Sequence, residues 1–392
     1  MVLVVVEPTL SASSRLDTLR TNIIRTLDIH GIKCSIEQDG PLLILDAEEP
    51  IDAMYALDHV FGVESICIAD KVCIADEAEN MLNPLVDAIV SVGKDIMHRN
   101  ERFHVEVKSL GDTKGLVARD VEFAATAVLL SELSLLNVSP SSKYYDRLIR
   151  VYISDENAYV ARLCRNGTGG LPIGSNGHAL CSIYDCISAV AAYVVAEHGF
   201  YPSIILVYGD DKMLRRVAKK IEIIARMLSR KSIELRYTYY NYTPNGKDDE
   251  GYCNKHYHYN TTVLSSMLLD RLARVSGMAN DSSRIVLPLS SSLHSMDFID
   301  SVMSSMSCKN IMLPLMFSKD LLHYSEIFGM DCMKEIQVMS KLTGSRVVDD
   351  NYEHINEYVE ECINNIHTLE VNLGPNMAHD IIDGIKRNCK DR

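Results

Sequence analysis

The stretch GTGGLPIGSNGHALCSIYDCISAVAAY, residues Gly167–Tyr193, decides the fold of the region that follows it. Its centre, GHALCSI, predicts a strand, and the small apolar residues of Ala189–Gly199 predict a helix that ends at glycine. A strand, a turn and a helix in this order form the frame of a nucleotide-binding loop, in which glycines let backbone amides approach a phosphate. No glycine lies between Gly177 and Gly199. The sequence therefore predicts the frame without its phosphate-binding glycines.

Strands and helices continue to alternate after this stretch. Apolar runs at Ser203–Gly209, Arg284–Leu289 and Asn310–Leu315 predict strands, and a basic amphipathic helix is predicted at Lys212–Arg230. This alternation is typical of a doubly wound, mostly parallel, Rossmann-like sheet. The predicted fold class is therefore α/β.

The two flanking regions have their own patterns. Residues 1–73 fit a β-α-β-β-α-β unit of ferredoxin type, and residues 74–166 hold a second α/β unit that ends in a hairpin at Leu148–Arg165. The segment after residue 344 is mostly polar, with helices predicted at His354–Ile366 and Asn376–Asn388.

Composition bounds the class of protein. The chain has 392 residues, 47% of them hydrophobic and 23% charged, which is ordinary for a globular protein of two or three domains. Its net charge is −14, and the acidic excess is larger in the residues up to Pro172 than in the remainder. Nucleic-acid binders usually carry a basic face, so RNA could bind only at a local basic patch.

Localisation and redox state follow from the same counts. The N-terminus is too short and too acidic for a signal peptide, and no apolar run is long enough to span a bilayer. We therefore expect a cytoplasmic protein with no membrane contact. The 11 cysteines include no C-x-x-C pair, so we expect buried, reduced thiols.

Four motifs carry a resemblance to a known family. These are GTGGLPIG (Gly167–Gly174), VEVKS (Val105–Ser109), SAVAAYVVAEHG (Ser188–Gly199) and NIMLPLMFSKDLL (Asn310–Leu322). They resemble the tRNA 4-thiouridine synthetase family, in its archaeal-type form without a rhodanese extension.

The resemblance implies an order of domains along the chain. It implies a ferredoxin-like domain at 1–73, a THUMP domain at 74–166, a linker at 167–177, a PP-loop ATP-pyrophosphatase-like domain at 178–344 and a C-terminal tail at 345–392. It also implies tRNA as a partner and a homodimer.

The chain departs from the family's S-G-G-x-D-S loop at every position except the last. The loop residues here are Ile183, Tyr184, Asp185, Cys186, Ile187 and Ser188. Tyr184 adds bulk where a phosphate would lie, and the Asp185 carboxylate would repel it.

The family's T-G-E-S-L-G-Q motif and its C-x-x-C pair are also eroded. The first motif reads LPLSSSL here, in which Ser290 is retained, and Cys253 stands without a partner cysteine. We therefore expect a diverged, non-catalytic family member that binds tRNA or a protein partner and needs no cofactor.

Two alternatives remain open. An active ATP-dependent tRNA sulfurtransferase, of the family also linked to thiamine thiazole sulfur transfer, would bind ATP and Mg²⁺ through a rebuilt loop. It would receive sulfur on Cys181, Cys186 or Cys253. The other alternative is a protein-interaction scaffold with no RNA ligand.

Further candidate residues carry charge or metal-binding groups. A solvated helix face or a strand with one buried tyrosine face is the commoner explanation of the basic residues, and a polar loop is the commoner explanation of the potential metal ligands. The RNA-binding candidates are Lys108, Lys212, Arg215, Arg216, Lys219, Lys220, Arg236 and Lys255; the metal candidates are Cys253, His256 and His258.

Overall fold

The computed structural model describes residues 2–73, 78–111, 115–155, 157–240, 255–275, 283–317, 321–341 and 352–390. The chain divides into two units, Met1–Pro172 and Ile173–Arg392. Across the described ranges, no helix combines the length and the apolar character needed to cross a bilayer.

The first unit is built on one eight-stranded sheet. Its elements are β1 (Val2–Pro8), α1 (Leu16–Ile29), β2 (Cys34–Asp39), β3 (Leu42–Ala47), α2 (Pro50–Ala56), β4 (Val63–Cys73), α3 (Ala78–Ile96), β5 (Arg102–Ser109), α4 (Ala118–Glu132), β6 (Ser139–Pro140), β7 (Arg147–Ile153) and β8 (Asn157–Gly169).

The strands of the first unit are ordered β2-β3-β1-β4-β8-β7-β5-β6. Strands β1 to β4 form the antiparallel ferredoxin-like order that the sequence predicts, and β4 pairs antiparallel with β8 of the following segment. The ferredoxin-like strands and the strands of residues 102–169 therefore form a single continuous sheet.

The sheet has a buried core on each face because side chains alternate along each strand. Val4 and Val6 of β1 pack in the core that α1 and α2 cover. Leu3 and Val5 point to the other face, where they pack with Tyr152 and Tyr159.

The tyrosine face is closed by curvature of the sheet. Tyr159 of β8 donates to Asp39 of β2 over 2.8 Å, and the Ser154 hydroxyl donates to the Asp39 carbonyl over 2.7 Å. Three strands separate β2 from β8 in the sheet order, so these bonds require the sheet to curl. The curl buries the polar ends of the tyrosines with partners.

The expectation that the cysteines are reduced was wrong for one pair. Cys67 and Cys164 form a disulfide between β4 and β8. The two residues are directly opposite each other in the ladder, which brings their sulfur atoms together although 97 positions separate them in the chain. Six other described cysteines are free.

The second unit holds a six-stranded sheet. Its elements are β9 (His178–Ile183), α5 (Cys186–Glu197), β10 (Tyr201–Tyr208), α6 (Asp211–Ala225), β11 (Ser232–Tyr239), α7 (Lys255–Val275), β12 (Ser283–Val286), α8 (Met296–Ser305), β13 (Ile311–Met312), α9 (Leu321–Ile327), α10 (Met330–Lys341), α11 (Tyr352–Asn364), β14 (His367–Asn372) and α12 (Met377–Lys390).

The strand order β13-β12-β9-β10-β11-β14 is parallel except at one edge. The predicted α/β fold class with a mostly parallel sheet is therefore confirmed. Strand β14, which the sequence analysis did not predict within the polar tail, pairs antiparallel with β11. Its side chains are half-buried or exposed apart from buried Val371, so the apolar signal of a buried strand is missing.

Helix α7 begins at Lys255, within the segment of the metal candidates. Its start carries tyrosine and histidine residues, and Tyr259 is buried there. Its polar and aromatic side chains favour a loop, whereas tertiary packing makes the segment from Lys255 a helix.

The curled sheet can be tested by removing one tyrosine hydroxyl. Tyr159→Phe leaves the buried Asp39 carboxylate with one donor fewer, so we expect the free energy of unfolding to fall by about 1–3 kcal/mol. The measurement is urea denaturation, with exposed Tyr144→Phe as the matched control. Equal stability of the two variants would contradict the role assigned to this hydrogen bond.

Candidate functional site

The turn after β9 is organised by a helix cap. Asp185 is the N-cap of α5: its Oδ1 accepts from the Ser188 amide over 2.8 Å, and the Ser188 hydroxyl oxygen accepts from the Asp185 amide over 3.0 Å. This capping box starts the helix at Cys186, three residues before the predicted start.

The amides at the start of α5 are bonded to carboxylates of the protein itself. The Ser188 amide is bonded to Asp185, and the Cys186 amide donates to Glu335 Oε1 over 3.3 Å. The partial positive charge at a helix N-terminus stabilises negative side chains in this position. Two internal anions thus stand where a nucleotide-binding loop would hold a phosphate.

Tyr184 and Ile187 are both buried. The Tyr184 hydroxyl lies 2.8 Å from Thr262 Oγ1 of α7, which in turn donates to the His258 carbonyl. The bulky side chains of the turn are therefore packed in the interior of the protein.

A chain of polar contacts links the turn to two histidines. His258 Nδ1 lies 2.5 Å from Asp185 Oδ2, and His258 Nε2 lies 2.9 Å from His294 Nε2. The Ser290 amide donates to His294 Nδ1 over 3.1 Å. Because the Asp185 carboxylate can only accept, Nδ1 of His258 donates the hydrogen bond to it.

The environment of Asp185 changes its acidity. Burial alone would raise its pKa, but the charge and hydrogen bond of His258, with the bonds from Ser188, outweigh burial and lower it. Asp185 is therefore a buried, ionised group whose partners are all within the fold.

Of the residues taken from the family motifs, the structure brings Asp185 and Ser290 together through His258 and His294. The part played by His294 was missed. Its sequence signal is its position four residues after Ser290, where a tight turn lets the ring reach back to the Ser290 amide.

The candidate sulfur acceptors are buried thiols. Cys186 Sγ donates to Glu335 Oε2 over 3.0 Å, and its pKa is raised by its hydrogen bond with Cys332, by burial and by Glu335. Burial raises the pKa of Cys181. Both thiols are held in the protonated form, which is a poor nucleophile. Cys253 lies outside the described residues.

The RNA-binding candidates separate into two groups. Lys108 pairs with both carboxylate oxygens of Glu7 at 2.8 Å, and Arg236 pairs with Glu234 at 3.5 Å. Lys220 is half-buried, and although burial opposes its charge, Cys186 and Glu335 raise its pKa. These three side chains are engaged within the protein.

Four candidates remain on one helix. Lys212, Arg215 and Lys219 of α6 are exposed and Arg216 is half-exposed, while the opposite face buries apolar residues such as Leu214. Lys255 begins α7, but its side chain lies outside the described residues.

The metal candidates do not form a site in the described part of the chain. Both ring nitrogens of His258 are engaged by Asp185 and His294. No group of three His, Cys, Asp or Glu side chains suited to a metal ion occurs in the ranges that the structure describes. Cys253 and the side chain of His256 fall outside those ranges.

A pH titration of stability tests the Asp185 cap. The folded pKa of Asp185 lies below the unfolded value of about 4, so its carboxylate stabilises the fold above that pH and this contribution is lost as the pH falls through the folded pKa. We expect Asp185→Asn to lower the free energy of unfolding at pH 7 by roughly 1–3 kcal/mol, and the deficit to shrink on acidification.

Denaturation curves between neutral and acid pH provide this measurement. The matched control is Asp210→Asn, which alters the N-cap of α6 at an exposed position and keeps its capping ability. A deficit for Asp185→Asn that does not change with pH would contradict the ion pair.

Alkylation of the folded protein tests the state of the thiols. We expect iodoacetamide at mildly alkaline pH to modify Cys181 and Cys186 at least about tenfold more slowly than half-exposed Cys308, because burial and raised pKa values withhold the thiolate. Peptide mass spectrometry gives the rates, with the urea-unfolded protein as the control for intrinsic reactivity. Fast labelling of Cys186 in the folded chain would contradict this assignment.

Searches for similar sequences gave three partial matches. No protein-family model matches the chain. It is 32% identical over 104 residues to a probable tRNA sulfurtransferase of Methanocaldococcus jannaschii, covering 26% of each chain. It is 26% identical over 135 residues to one of Lysinibacillus sphaericus (34% of this chain, 33% of the relative) and 26% identical over 122 residues to one of Streptococcus sanguinis (31% and 30%). The matches thus span about a quarter to a third of these relatives.

Two solved structures share the fold over most of the chain. The crystal structure of PH1313 from Pyrococcus horikoshii matches with a TM-score of 0.58 and 19% identity, covering 84% of this chain and 100% of that one. A 4-thiouridine synthetase in complex with RNA and bound ATP matches with a TM-score of 0.60 and 12% identity, covering 94% and 99%. The partial matches to tRNA sulfurtransferases and the shared fold support the resemblance to the tRNA 4-thiouridine synthetase family that the linker and strand motifs carry.

Proposed function

We propose that this chain is a family member that has lost ATP-dependent thiolation and acts as an RNA-binding module, with tRNA as its ligand. The proposed loss of thiolation rests on one observation: the carboxylates of Asp185 and Glu335 occupy the N-terminus of α5. A pyrophosphate seated there would have to displace both carboxylates or meet their charge.

The energetic case against nucleotide binding rests on burial. The side chains of Asp185 and His258 are 9% and 7% exposed, and their contact continues to buried His294. Opening the turn would break this chain of hydrogen bonds and leave a buried carboxylate without its partner, which is strongly unfavourable.

The thiols support the same conclusion. Sulfur transfer requires an accessible thiolate, whereas Cys181 and Cys186 are buried and carry raised pKa values. Neither of these candidate acceptors is suited to carry sulfur.

The RNA half of the proposal rests on the exposed face of α6. Lys212, Arg215 and Lys219 project from one side of this helix in a chain of net charge −14. Such a local basic track can neutralise phosphates and release their counterions. The structural relative described as an RNA complex supports RNA as the ligand.

Calorimetry tests the loss of nucleotide binding. Titration of the purified chain with ATP and Mg²⁺, and separately with pyrophosphate, is expected to give no heat of binding, because the anion position is filled. A catalytically active tRNA sulfurtransferase measured under the same conditions is the positive control. Heat from a stoichiometric site would contradict the proposal and favour an active enzyme.

Gel shifts with bulk tRNA at several salt concentrations test the RNA half. We expect binding that weakens with salt, and we expect the double variant Lys212→Ala/Arg215→Ala to reduce the slope of log K against log[salt] by about two. The matched control removes two exposed cations elsewhere, Arg271→Ala/Lys334→Ala, and should leave the slope unchanged.

Two results would contradict the proposal that the chain binds RNA through α6. Absent or salt-insensitive binding by the unaltered chain would favour a protein-interaction scaffold. Equal slopes for the α6 variant and the unaltered chain would show that α6 does not carry the phosphate track.

A further inference from the structure

A second basic surface lies at the amino ends of the parallel strands of the second unit. The register places His178 at the start of β9 beside Tyr201 of β10 on one side and Ser283 of β12 on the other. We call the row of side chains at these strand starts the amino-end surface; it comprises Lys309, Arg284, His178, Tyr201, Arg230 and Lys231.

Two guanidinium groups on this surface lie over aromatic rings. Arg230 Cζ lies 4.0 Å from the centroid of the Tyr201 ring, and Arg284 Cζ lies 4.9 Å from that of Phe200. The His178 and Tyr201 ring centroids are 5.2 Å apart. The ring contacts hold both guanidinium groups in place at the surface, since Arg230, Arg284 and His178 are all exposed.

The charge of the amino-end surface is opposite to that of the chain. Four of its six side chains are lysine or arginine, whereas the chain as a whole has a net charge of −14. Among the described residues, neither Arg230 nor Arg284 forms an ion pair with a carboxylate. The neighbouring Glu234 of β11 pairs with Arg236 instead.

This surface is separate from the filled site at α5. His178 begins β9 and Ile183 ends it, so the two ends of the strand are roughly 16 Å apart at the usual rise per residue. The contacts of Asp185, His258 and Glu335 all lie at the carboxyl end. The basic helix face at Lys212 and Arg215 also begins at that end, directly after β10.

We infer that the amino-end surface is a second RNA-binding site, which takes unpaired nucleotides. The lysines and guanidinium edges would contact phosphates, and bases would stack on the outer planes of Arg230 and Arg284. This inference rests on the proposed RNA-binding function and adds the place and the form of RNA that is bound. RNA is favoured over an anionic membrane because a lipid headgroup needs only point charges, whereas planar groups fixed by stacking suit nucleobases.

The test uses the full chain, the double variant Arg230→Ala/Arg284→Ala and a fluorescent single-stranded RNA of about ten nucleotides. Anisotropy titrations at several salt concentrations give the affinity and its salt slope. We expect the variant to bind this RNA at least about tenfold more weakly and to lose about two from the slope. The control Arg271→Ala/Lys334→Ala should bind as the unaltered chain does.

A second variant separates stacking from charge and guards against misfolding. Arg230→Lys/Arg284→Lys keeps both charges but loses the planar group, so we expect the salt slope to be retained and the affinity for single-stranded RNA to fall by about fivefold or more. Its melting temperature should match that of the unaltered chain. Full affinity in this lysine variant would overturn the stacking assignment.

The two proposals fail in different ways. If Arg230→Ala/Arg284→Ala binds single-stranded RNA normally while Lys212→Ala/Arg215→Ala weakens tRNA binding, this inference is overturned and the proposed function stands. If the unaltered chain binds no RNA but binds vesicles containing phosphatidylserine, both are overturned and the surface is a membrane contact.

Discussion

The carboxylate of Asp185 is the group on which the architecture of the second unit's carboxyl end depends. It caps α5, and it accepts a hydrogen bond from the buried His258 of α7. One anion thereby satisfies a helix terminus and holds two elements together. In a nucleotide-binding loop a phosphate does the first of these tasks only when the ligand is present. Here the anion is covalently part of the chain, so the helix start is stabilised permanently.

The other carboxylate at this helix start organises the groups around it. Glu335 accepts hydrogen bonds from the amide and the thiol of Cys186. Lys220 of α6 lies near enough for its positive charge to interact with the Glu335 carboxylate. A thiol, a carboxylate and an ammonium group thus lie together and interact with one another.

How far the sequence could predict these features depends on how local their causes are. The strand, the turn and the absence of glycines around Tyr184 could be predicted from the sequence because they are adjacent in the chain. The contacts of Asp185 with His258 and of Cys186 with Glu335 join residues 73 and 149 positions apart. No periodicity signals such pairs, since they depend on how helices pack. The disulfide at Cys67 was missed for the same reason, because only the register of β4 against β8 brings its partner opposite.

The curl of the first unit's sheet has a consequence for how that half of the chain can be divided. Strand β4 obtains its partner β8 from nearly one hundred positions downstream, and the inner tyrosines come from β7 and β8. The ferredoxin-like segment and the later strands therefore line the inner core of the sheet together. Non-local pairing of this kind is expected to form slowly, and both segments are needed to complete the sheet and its inner core.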